Sequence, residues 1–425
     1  MKLSRIKIDV LKNSEFLWLI LGQIISIIFS VVIIKIITKM GASDFGVYSL
    51  ILSISALVSA ILVGPSEQGF VRYFFNFNGV ENKKRFLNVT YLFFIFIVTL
   101  ITIISILFYL FEIISEPNSL LIGLFIVFFT FSSFFASLFN LIRKRKLNTI
   151  LIVFEKLIST LLLYLLKYYN NLNITNVLIV FSFSIIISLF IRMRYFNSVF
   201  EYKIFRDMKL LSLREYIIYK KVFVFSIPLI IWGFSGWLAS SSDRWVLANF
   251  SNLNTVGIYS LMMTLSSYLI ATPIGVVAQY FQPIIFEQIN IVNSNDGSRK
   301  VMNYFIYSSI FLVVFGVFFS LFFGKIILSF IAVDFTTFWY FLPFFCLSIG
   351  LFQIAQVYTI FGMIHEMPKI YLIPKIILGI ISLILNIIGV YYLQIIGLII
   401  SMIVASSIYL IMVLMVNRKF KYSLL

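Results

Sequence analysis

The chain has 425 residues, and its composition excludes an ordinary soluble protein. Hydrophobic residues make up 61% of it, charged residues only 12%, and the mean hydropathy is +1.07. The formal net charge is nevertheless +17, which in a soluble protein would suggest nucleic acid as a partner. Here the basic residues lie between long apolar stretches, so we expect a membrane protein with no nucleic-acid partner.

Cysteine and histidine each occur once, as Cys346 and His365. A lone cysteine forms no disulfide framework, and this pair cannot build a zinc site, so no metal or cofactor is expected. The chain also lacks the Gly-Lys-Ser/Thr loop that binds nucleotide phosphates. Nucleotide hydrolysis by this chain is therefore not expected.

About 12 apolar stretches are each long enough to cross a bilayer, since a spanning helix needs about 20 mostly apolar residues. They predict an all-α polytopic membrane protein. In chain order the first six spans are predicted at 16–38, 47–70, 88–110, 120–141, 148–166 and 177–191. The second six are predicted at 222–241, 256–281, 301–323, 338–358, 370–393 and 395–416.

Lysine and arginine gather in every second connection, which predicts the orientation of the spans. The side of the membrane with fewer basic residues receives only Lys39, Lys167, Arg244 and Lys325. Because basic residues favour the cytoplasmic side, we expect both termini in the cytoplasm and an even number of spans. The richer side receives the segment before the first span, Arg72, Lys83 to Arg85, the run 143–146, the segment 192–221, Arg299, Lys300, Lys369 and the tail after 416.

The sequence repeats itself after six spans. Gly46-Val47-Tyr48-Ser49-Leu50 has its counterpart in Gly257-Ile258-Tyr259-Ser260-Leu261, and the same spacing relates Ser55 to Ser266 and Gly64 to Gly275. An even number of spans gives both halves the same orientation, which predicts parallel repeats. We expect an N-terminal six-helix lobe at 1–195, a cytoplasmic basic linker at 196–221 and a C-terminal six-helix lobe at 222–425. The linker is either an amphipathic surface helix or a plain loop.

A family resemblance rests on short motifs spread over the whole chain. They are the two Gly-x-Tyr-Ser-Leu segments, Asp243-Arg244 at the predicted end of the seventh span, Asn386, and Ile395-Ile396-Gly397. Together they resemble the Wzx-type O-antigen or capsular polysaccharide repeat-unit flippases of the MOP superfamily. Where that family often has Gly-Ala at the start of the last span, this chain has Gly397-Leu398.

The resemblance implies a MATE-like bundle of two lobes around a central cavity, in a bacterial cytoplasmic (inner) membrane. Its implied substrate is a polyprenyl-pyrophosphate-linked oligosaccharide, moved from the inner to the outer leaflet by alternating access for O-antigen, lipopolysaccharide or capsule synthesis. The implied partners are membrane lipids, a polysaccharide polymerase and a chain-length regulator. Such a protein is a transporter, not an enzyme.

Pyrophosphate is costly to move through hydrocarbon, so cations inside the spans are candidates for contacting it. Glu155 and Lys156 are the deepest charges, and we expect Lys156 to contact phosphate and Glu155 to pair between helices or couple ions. A buried structural pair is the alternative. The other candidate cations are Lys35, Arg72, Arg244 and Lys375.

Each of these further cations has an alternative role. Lys375 and Lys35 either line the cavity or snorkel to an interface. Arg72 either meets the pyrophosphate first or anchors the helix at the cytoplasmic side. Gln353 and Gln356 share a helix face and suit sugar hydroxyls, although inter-helix hydrogen bonds would explain them equally.

Two proline sites and one charged pair are candidates for moving parts. Hinges are expected at Gly64 with Pro65 and at Pro273 with Gly275, unless these residues only kink their helices. Glu67 follows the first hinge and is a candidate for gating or ion coupling. Asp243 and Arg244 precede Trp245 and are expected as an outer gate or coupling site, with a structural cap as the alternative.

Several other functions remain in view. A multidrug or cation antiporter of the same superfamily would share the fold, but it would favour buried carboxylates over the cations found here. A polysaccharide polymerase or membrane glycosyltransferase would need a large outer loop that carries its chemistry, and every predicted outer connection is short. A lipid II flippase would be expected to have two further spans.

Overall fold

The computed structural model describes residues 14–74, 80–110, 119–142, 144–202, 207–208, 213–290, 295–364 and 367–423. These residues form helices and short turns and no strand, which confirms the all-α prediction. Within them, 11 helices are long and apolar enough to cross a membrane. The basic residues before 14, Arg143 and His365 lie outside the described residues.

The first half of the chain forms seven α-helices in the described ranges, and most of them extend beyond the predicted spans. The fourth and seventh carry polar turns at one end, because lysines and arginines close to an interface extend helices without entering hydrocarbon. Their bounds are α1 Ser14–Ile37, α2 Ala42–Val58, α3 Gly64–Tyr73, α4 Val80–Leu110, α5 Ser119–Leu141, α6 Arg145–Tyr168 and α7 Ile174–Val199.

The second half repeats this order, and several of its helices are longer than their counterparts. The eighth begins inside the predicted linker and ends nine residues beyond the predicted span. The bounds are α8 Leu213–Phe250, α9 Leu253–Ser266, α10 Thr272–Asn290, α11 Asn295–Ile331, α12 Leu342–Ile364 and α13 Leu372–Ser423.

Helix α13 is long enough for two membrane crossings. Its 52 residues would extend roughly 80 Å at 1.5 Å per residue, far more than a bilayer of about 30 Å requires. Gln394 has φ 52° and ψ −133°, which reverses the chain within the helix. Gly389 and Gly397 then face each other with no room for a Cβ on either, and Ser401 Oγ donates to the Leu385 carbonyl at 2.6 Å. The last two predicted spans therefore pack as a hairpin on either side of Gln394.

A π-helical turn precedes each predicted hinge proline. The turns span Ser59–Val63 and Ser267–Ala271, and Pro65 and Pro273 each follow two residues after a turn. A proline removes one backbone donor and clashes with the carbonyl four residues earlier, and the wider turn accommodates both effects. Helix α2 continues into α3 through the first π turn, and the hinges expected at Gly64 with Pro65 and at Pro273 with Gly275 stay a prediction.

The chain divides into two compact units, each made of two stretches of sequence. The first contains the described residues before Gly41 together with Ile51–Phe234. The second contains Gly41–Leu50 together with the described residues from Ser235 onward. Helices α2 and α8 each contribute to both units, so the lobe boundaries at 195 and 222 stay a prediction.

Large apolar side chains cover the outside of the helices as well as the inside. In α11, Phe311, Phe315, Phe319 and Phe323 stack in succession, and Phe322 is 75% exposed. So many exposed aromatic and aliphatic side chains are unusual on a protein surrounded by water. They are what a lipid-facing surface requires.

Candidate functional site

A buried ion pair joins three helices of the first unit. Arg192 of α7 is 1% exposed, and its Nη1 lies 3.7 Å from Glu155 Oε2 of α6. The same Nη1 donates to Ser132 Oγ of α5 at 2.5 Å. Ser132 Oγ in turn lies 3.5 Å from the Glu155 carboxylate. Such a closed arrangement stabilises the buried arginine beside the partly exposed carboxylate, because each charge offsets the other.

Arg192 was assigned from sequence to the basic connection after the sixth span, and that assignment is wrong. The residue lies inside α7, which continues to Val199. The signal that could have revealed it is a polar stripe, since Ser184 and Ser188 precede it at helical spacing and both are fully buried. Positive-inside counting cannot separate a buried arginine near a helix end from a solvated one.

Lys156 of α6 faces a different helix from its neighbour Glu155. Its Nζ donates to the Ser26 carbonyl at 3.2 Å and to Ser30 Oγ at 2.5 Å, both in α1. Ser30 Oγ also donates to the Ser26 carbonyl at 2.8 Å. The ammonium group therefore links α6 to α1 inside the first unit.

In the second unit, Lys375 lies among aromatic rings. Its Nζ is 4.6 Å from the centroid of Phe352 in α12 and 5.4 Å from that of Tyr409 in the second arm of α13. The side chain is only 6% exposed, so it does not snorkel to the surface. Its stem lies against α8, where a Cβ on Gly236 would be 3.5 Å from the lysine Cε.

An amide completes this arrangement. Gln356 Nε2 donates to Tyr409 Oη at 3.1 Å, and the rings of Phe352 and Tyr409 stack with centroids 5.8 Å apart. Gln353, one turn earlier in α12, is half-buried. We call Phe352, Gln356, Lys375 and Tyr409 the Lys375 cluster. Nothing in the sequence distinguished Tyr409 from the other 22 tyrosines among the 23 of the chain.

The remaining candidates in the first unit lie elsewhere. Arg72 is exposed on α3, and its guanidinium lies 4.8 Å from the ring centroid of Phe225. Glu67, one turn earlier, is within hydrogen-bonding reach of Ser137. Lys35 is half-buried in the last turn of α1. The structure thus places Lys375 and Gln356 against the same tyrosine, Tyr409, and pairs Glu155 with Arg192. Arg72, Glu67 and Lys35 lie in other surroundings.

Asp243 and Arg244 lie within α8, not at its end as predicted, because the helix continues to Phe250. Asp243 is 1% exposed and accepts a hydrogen bond from Tyr259 Oη of α9. Arg244 Nη1 is 3.8 Å from Asp243 Oδ1 and donates to the Ser240 carbonyl at 3.2 Å. The carboxylate therefore fixes α9 to α8.

The proline sites differ in their surroundings. The Pro65 carbonyl accepts a hydrogen bond from Ser226 Oγ of α8 at 2.9 Å. A Cβ on Gly275, by contrast, would meet no atom within 4 Å, so packing does not require glycine there. Among the described residues, no three His, Cys, Asp or Glu side chains come together as a metal site.

No protein-family model and no curated protein sequence matches this chain. Solved structures do match over nearly its whole length. The lipid II flippase MurJ in an inward closed conformation has a TM-score of 0.73 at 15% identity, covering 95% of this chain and 87% of that one. An inward-facing multidrug resistance MATE family transporter of the MOP superfamily has a TM-score of 0.67 at 13% identity, covering 93% and 96%.

A third similar structure is a MOP superfamily transporter from Pyrococcus furiosus, whose binding pocket is described as having reverse polarity. Its TM-score is 0.60 at 14% identity, and the match covers 94% of this chain and 95% of that one. Sequence identities this low establish a shared architecture, while function depends on the residues of each site. The chain has the fold of the MOP superfamily transporters.

Proposed function

We propose that the protein flips a polyprenyl-pyrophosphate-linked oligosaccharide from the inner to the outer leaflet of a bacterial cytoplasmic membrane by alternating access. The fold supports transport, because its structural relatives include transporters and a lipid flippase. Their low identity leaves the cargo to be argued from the side chains. Polysaccharide polymerase and chain-length regulator remain the proposed protein partners.

The observation that carries this proposal is the environment of Lys375. Aromatic faces attract an ammonium ion, and the Lys375 side chain is only 6% exposed, so this cation lies in a largely desolvated aromatic setting. A phosphate that reaches it would gain a strong interaction, because the surroundings are desolvated. The Gln356 amide and the neighbouring rings offer the hydrogen-bonding and stacking surfaces that suit sugars.

The charges of the first unit favour a structural role. Arg192 offsets Glu155, and Lys156 is committed to Ser26 and Ser30 of α1. We therefore assign the main phosphate contact to Lys375 instead of Lys156. Arg72, exposed on α3, remains the proposed first contact for the pyrophosphate.

A multidrug or cation antiporter is the second candidate, because MATE transporters share the fold. A cationic cargo needs a carboxylate that is free to receive it. Glu155 forms an ion pair with Arg192, and Asp243 accepts a hydrogen bond from Tyr259. This chemistry favours an anionic cargo.

The proposal is tested by deleting the gene in its own host and locating polyprenyl-linked oligosaccharide by mass spectrometry and outer-face labelling of spheroplasts. Single repeat units that accumulate on the inner face, and that reach the outer face again when the gene is restored, would support a flippase. Unpolymerised units on the outer face would indicate a polymerase instead. No accumulation, together with increased drug sensitivity, would favour the antiporter.

A further inference from the structure

An exposed lysine and an exposed tryptophan meet where α1 and α6 begin. The Lys146 ammonium lies 4.4 Å from the ring centroid of Trp18, and both side chains are exposed. Lys144 and Arg145 precede this lysine and are exposed as well. The lysine and arginine distribution predicts that this end of both helices lies at the cytoplasmic surface of the membrane. Tryptophan is typical of such an interface between water and hydrocarbon.

The two helices stay in contact as they enter the membrane. A Cβ on Gly22 would overlap the Thr149 side chain, so α1 and α6 approach each other closely about one turn further on. Deeper still, Lys156 of α6 donates to Ser30 Oγ of α1 at 2.5 Å. Both helices belong to the first compact unit. We call this line of contact, from Trp18 and its lysine to Lys156, the α1–α6 seam.

Exposed apolar side chains continue from the cytoplasmic end of the seam along both helices. Spacings of three and four residues keep them on the face of Trp18 in α1 and on the face of Lys146 in α6. Ile28 follows Trp18 by ten residues, about 15 Å, which is half of a hydrocarbon core of about 30 Å. The stripes therefore have the length of one leaflet. Their members, each 38–57% exposed, are Leu21, Ile25 and Ile28 of α1 and Ile150, Phe154 and Leu157 of α6.

The three cations at this end keep their charge. The ion pairs among the described residues involve none of Lys144, Arg145 and Lys146. Neighbouring cations repel one another, and a bound anion lowers that repulsion. A phosphodiester offers one negative charge and acceptor oxygens that suit both lysine and arginine. The cations and the apolar stripes together fit one class of ligand, a phospholipid with an anionic head group.

A second basic cluster on the same predicted side lacks these features. It consists of three residues at the start of α4, namely Lys83, Lys84 and Arg85. Arg85 Nη2 is 3.8 Å from Glu81 Oε1, so part of its charge is offset. The side chains from 86 to 94 are buried or half-buried, and Ile95 is the first exposed apolar residue after this cluster. Three cations alone therefore do not create the arrangement at the seam.

We propose that the cytoplasmic end of the α1–α6 seam binds an anionic phospholipid of the cytoplasmic leaflet. The phosphodiester lies among Lys144, Arg145 and Lys146, and the acyl chains follow the exposed stripes of α1 and α6. Trp18 lies between the head group and the chains, where its amphipathic ring is favoured. This lipid is distinct from the transported cargo, so the proposal does not depend on the proposed function.

The test measures lipid binding to the purified full-length protein in neutral detergent by native mass spectrometry, with phosphatidylglycerol and phosphatidylcholine as probes. The test variant combines Lys144→Gln, Arg145→Gln and Lys146→Gln. The matched control replaces the three basic residues at 83–85 by glutamine. We expect the test variant to bind phosphatidylglycerol at least about tenfold more weakly than the wild type, and the control to bind it within about twofold.

Three results would overturn the proposal. The first is an equal loss of phosphatidylglycerol binding in both variants. The second is equal binding of phosphatidylglycerol and phosphatidylcholine by the wild type. The third is displacement of phosphatidylglycerol by inorganic phosphate at constant ionic strength, which would assign the cations to a soluble anion.

A second measurement uses the wild type alone, because loss of three cations also affects membrane insertion. Photoactivatable phosphatidylglycerol is mixed into vesicles that contain the protein, and the cross-linked peptides are located by mass spectrometry. We expect cross-links at 18–28 and 146–157 in excess of those on α11, whose Phe311 and Phe322 are also exposed. Equal yields on α11, or the same preference with photoactivatable phosphatidylcholine, would overturn the proposal.

Discussion

Lys156 lies in the middle of α6 and Lys375 in the first turn of α13, and the structure uses these two lysines in different ways. Lys156 donates to two oxygens of α1 and ties two helices together. The Nζ of Lys375 lies 4.6 Å from the ring centroid of Phe352 and 5.4 Å from that of Tyr409. The comparison teaches that the depth of a charge in a span does not decide its role. The groups that surround it do.

Glu155 and Arg192 extend the comparison. The polar centre of the first unit, formed by Glu155, Arg192 and Lys156, sets one carboxylate against two cations, whereas aromatic rings and an amide lie around Lys375 in the second unit. We therefore expect substitutions in the first unit to act mainly on stability. Substitutions in the Lys375 cluster should act mainly on transport.

The largest expected effect on stability comes from Glu155→Gln. Removing one partner of a buried ion pair costs about 3–5 kcal/mol. Because Glu155 is partly exposed, we expect its loss to destabilise the protein by about 3 kcal/mol. Thermal unfolding in detergent and the amount of protein in the membrane should both fall. The double variant Glu155→Leu with Arg192→Met should recover much of the loss, because it removes both charges.

If Glu155→Gln has normal stability but no transport, the expectation that substitutions in the first unit act mainly on stability is contradicted. That result would return Glu155 to an ion-coupling role. A structural role for the pair would also be contradicted if the double variant lost both stability and transport while Glu155→Gln kept its stability.

A smaller effect on stability is expected for Lys156→Met. The variant keeps the length of the side chain and removes a desolvated charge together with its hydrogen bonds to α1. Because the Ser26 carbonyl keeps the Ser30 hydroxyl as a donor, the net loss should be about 1.5–3 kcal/mol in total. Transport per folded molecule should be retained. Ser30→Ala removes one acceptor only and should have a weaker effect on the same melting temperature.

The smallest effect is expected for Tyr409→Phe, which keeps the ring beside Lys375 and loses the hydroxyl bonded to Gln356. The loss of one neutral hydrogen bond should cost about 1 kcal/mol. Transport should fall several-fold because Gln356 loses its orientation. The matched control is Tyr371→Phe, which removes a tyrosine hydroxyl bonded to Asn417 and should change stability alone.

Much of the fold was predictable from hydropathy and from the repeat. Apolar runs long enough to span a bilayer located the helices, and the repeated Gly-x-Tyr-Ser-Leu segment paired Ser49 with Ser260, which touch in the structure. Helix ends were missed, because polar residues at an interface extend a helix without changing the hydropathy signal. Arg192 was predicted in a connection for the same reason, although it lies inside α7.

The sites were less predictable, because a sequence does not state which way a helix is rotated or what packs against it. Glu155 and Lys156 are adjacent, yet each faces a different helix. Tyr409 and Lys375 come from separate arms of α13, and only the reversal at Gln394 brings those arms side by side. Such neighbours arise from tertiary packing, which no local pattern encodes.

We propose that the anionic cargo contacts the Lys375 cluster and not the polar centre of the first unit. It is tested by comparing Lys375→Met with Lys156→Met in the deletion strain, with outer-face oligosaccharide normalised to folded protein in the membrane. We expect Lys375→Met to fold normally and to lose at least ten-fold in delivery, while Lys156→Met delivers at the wild-type rate per folded molecule. Equal delivery by Lys375→Met and the wild type, with loss in folded Lys156→Met, would contradict the account.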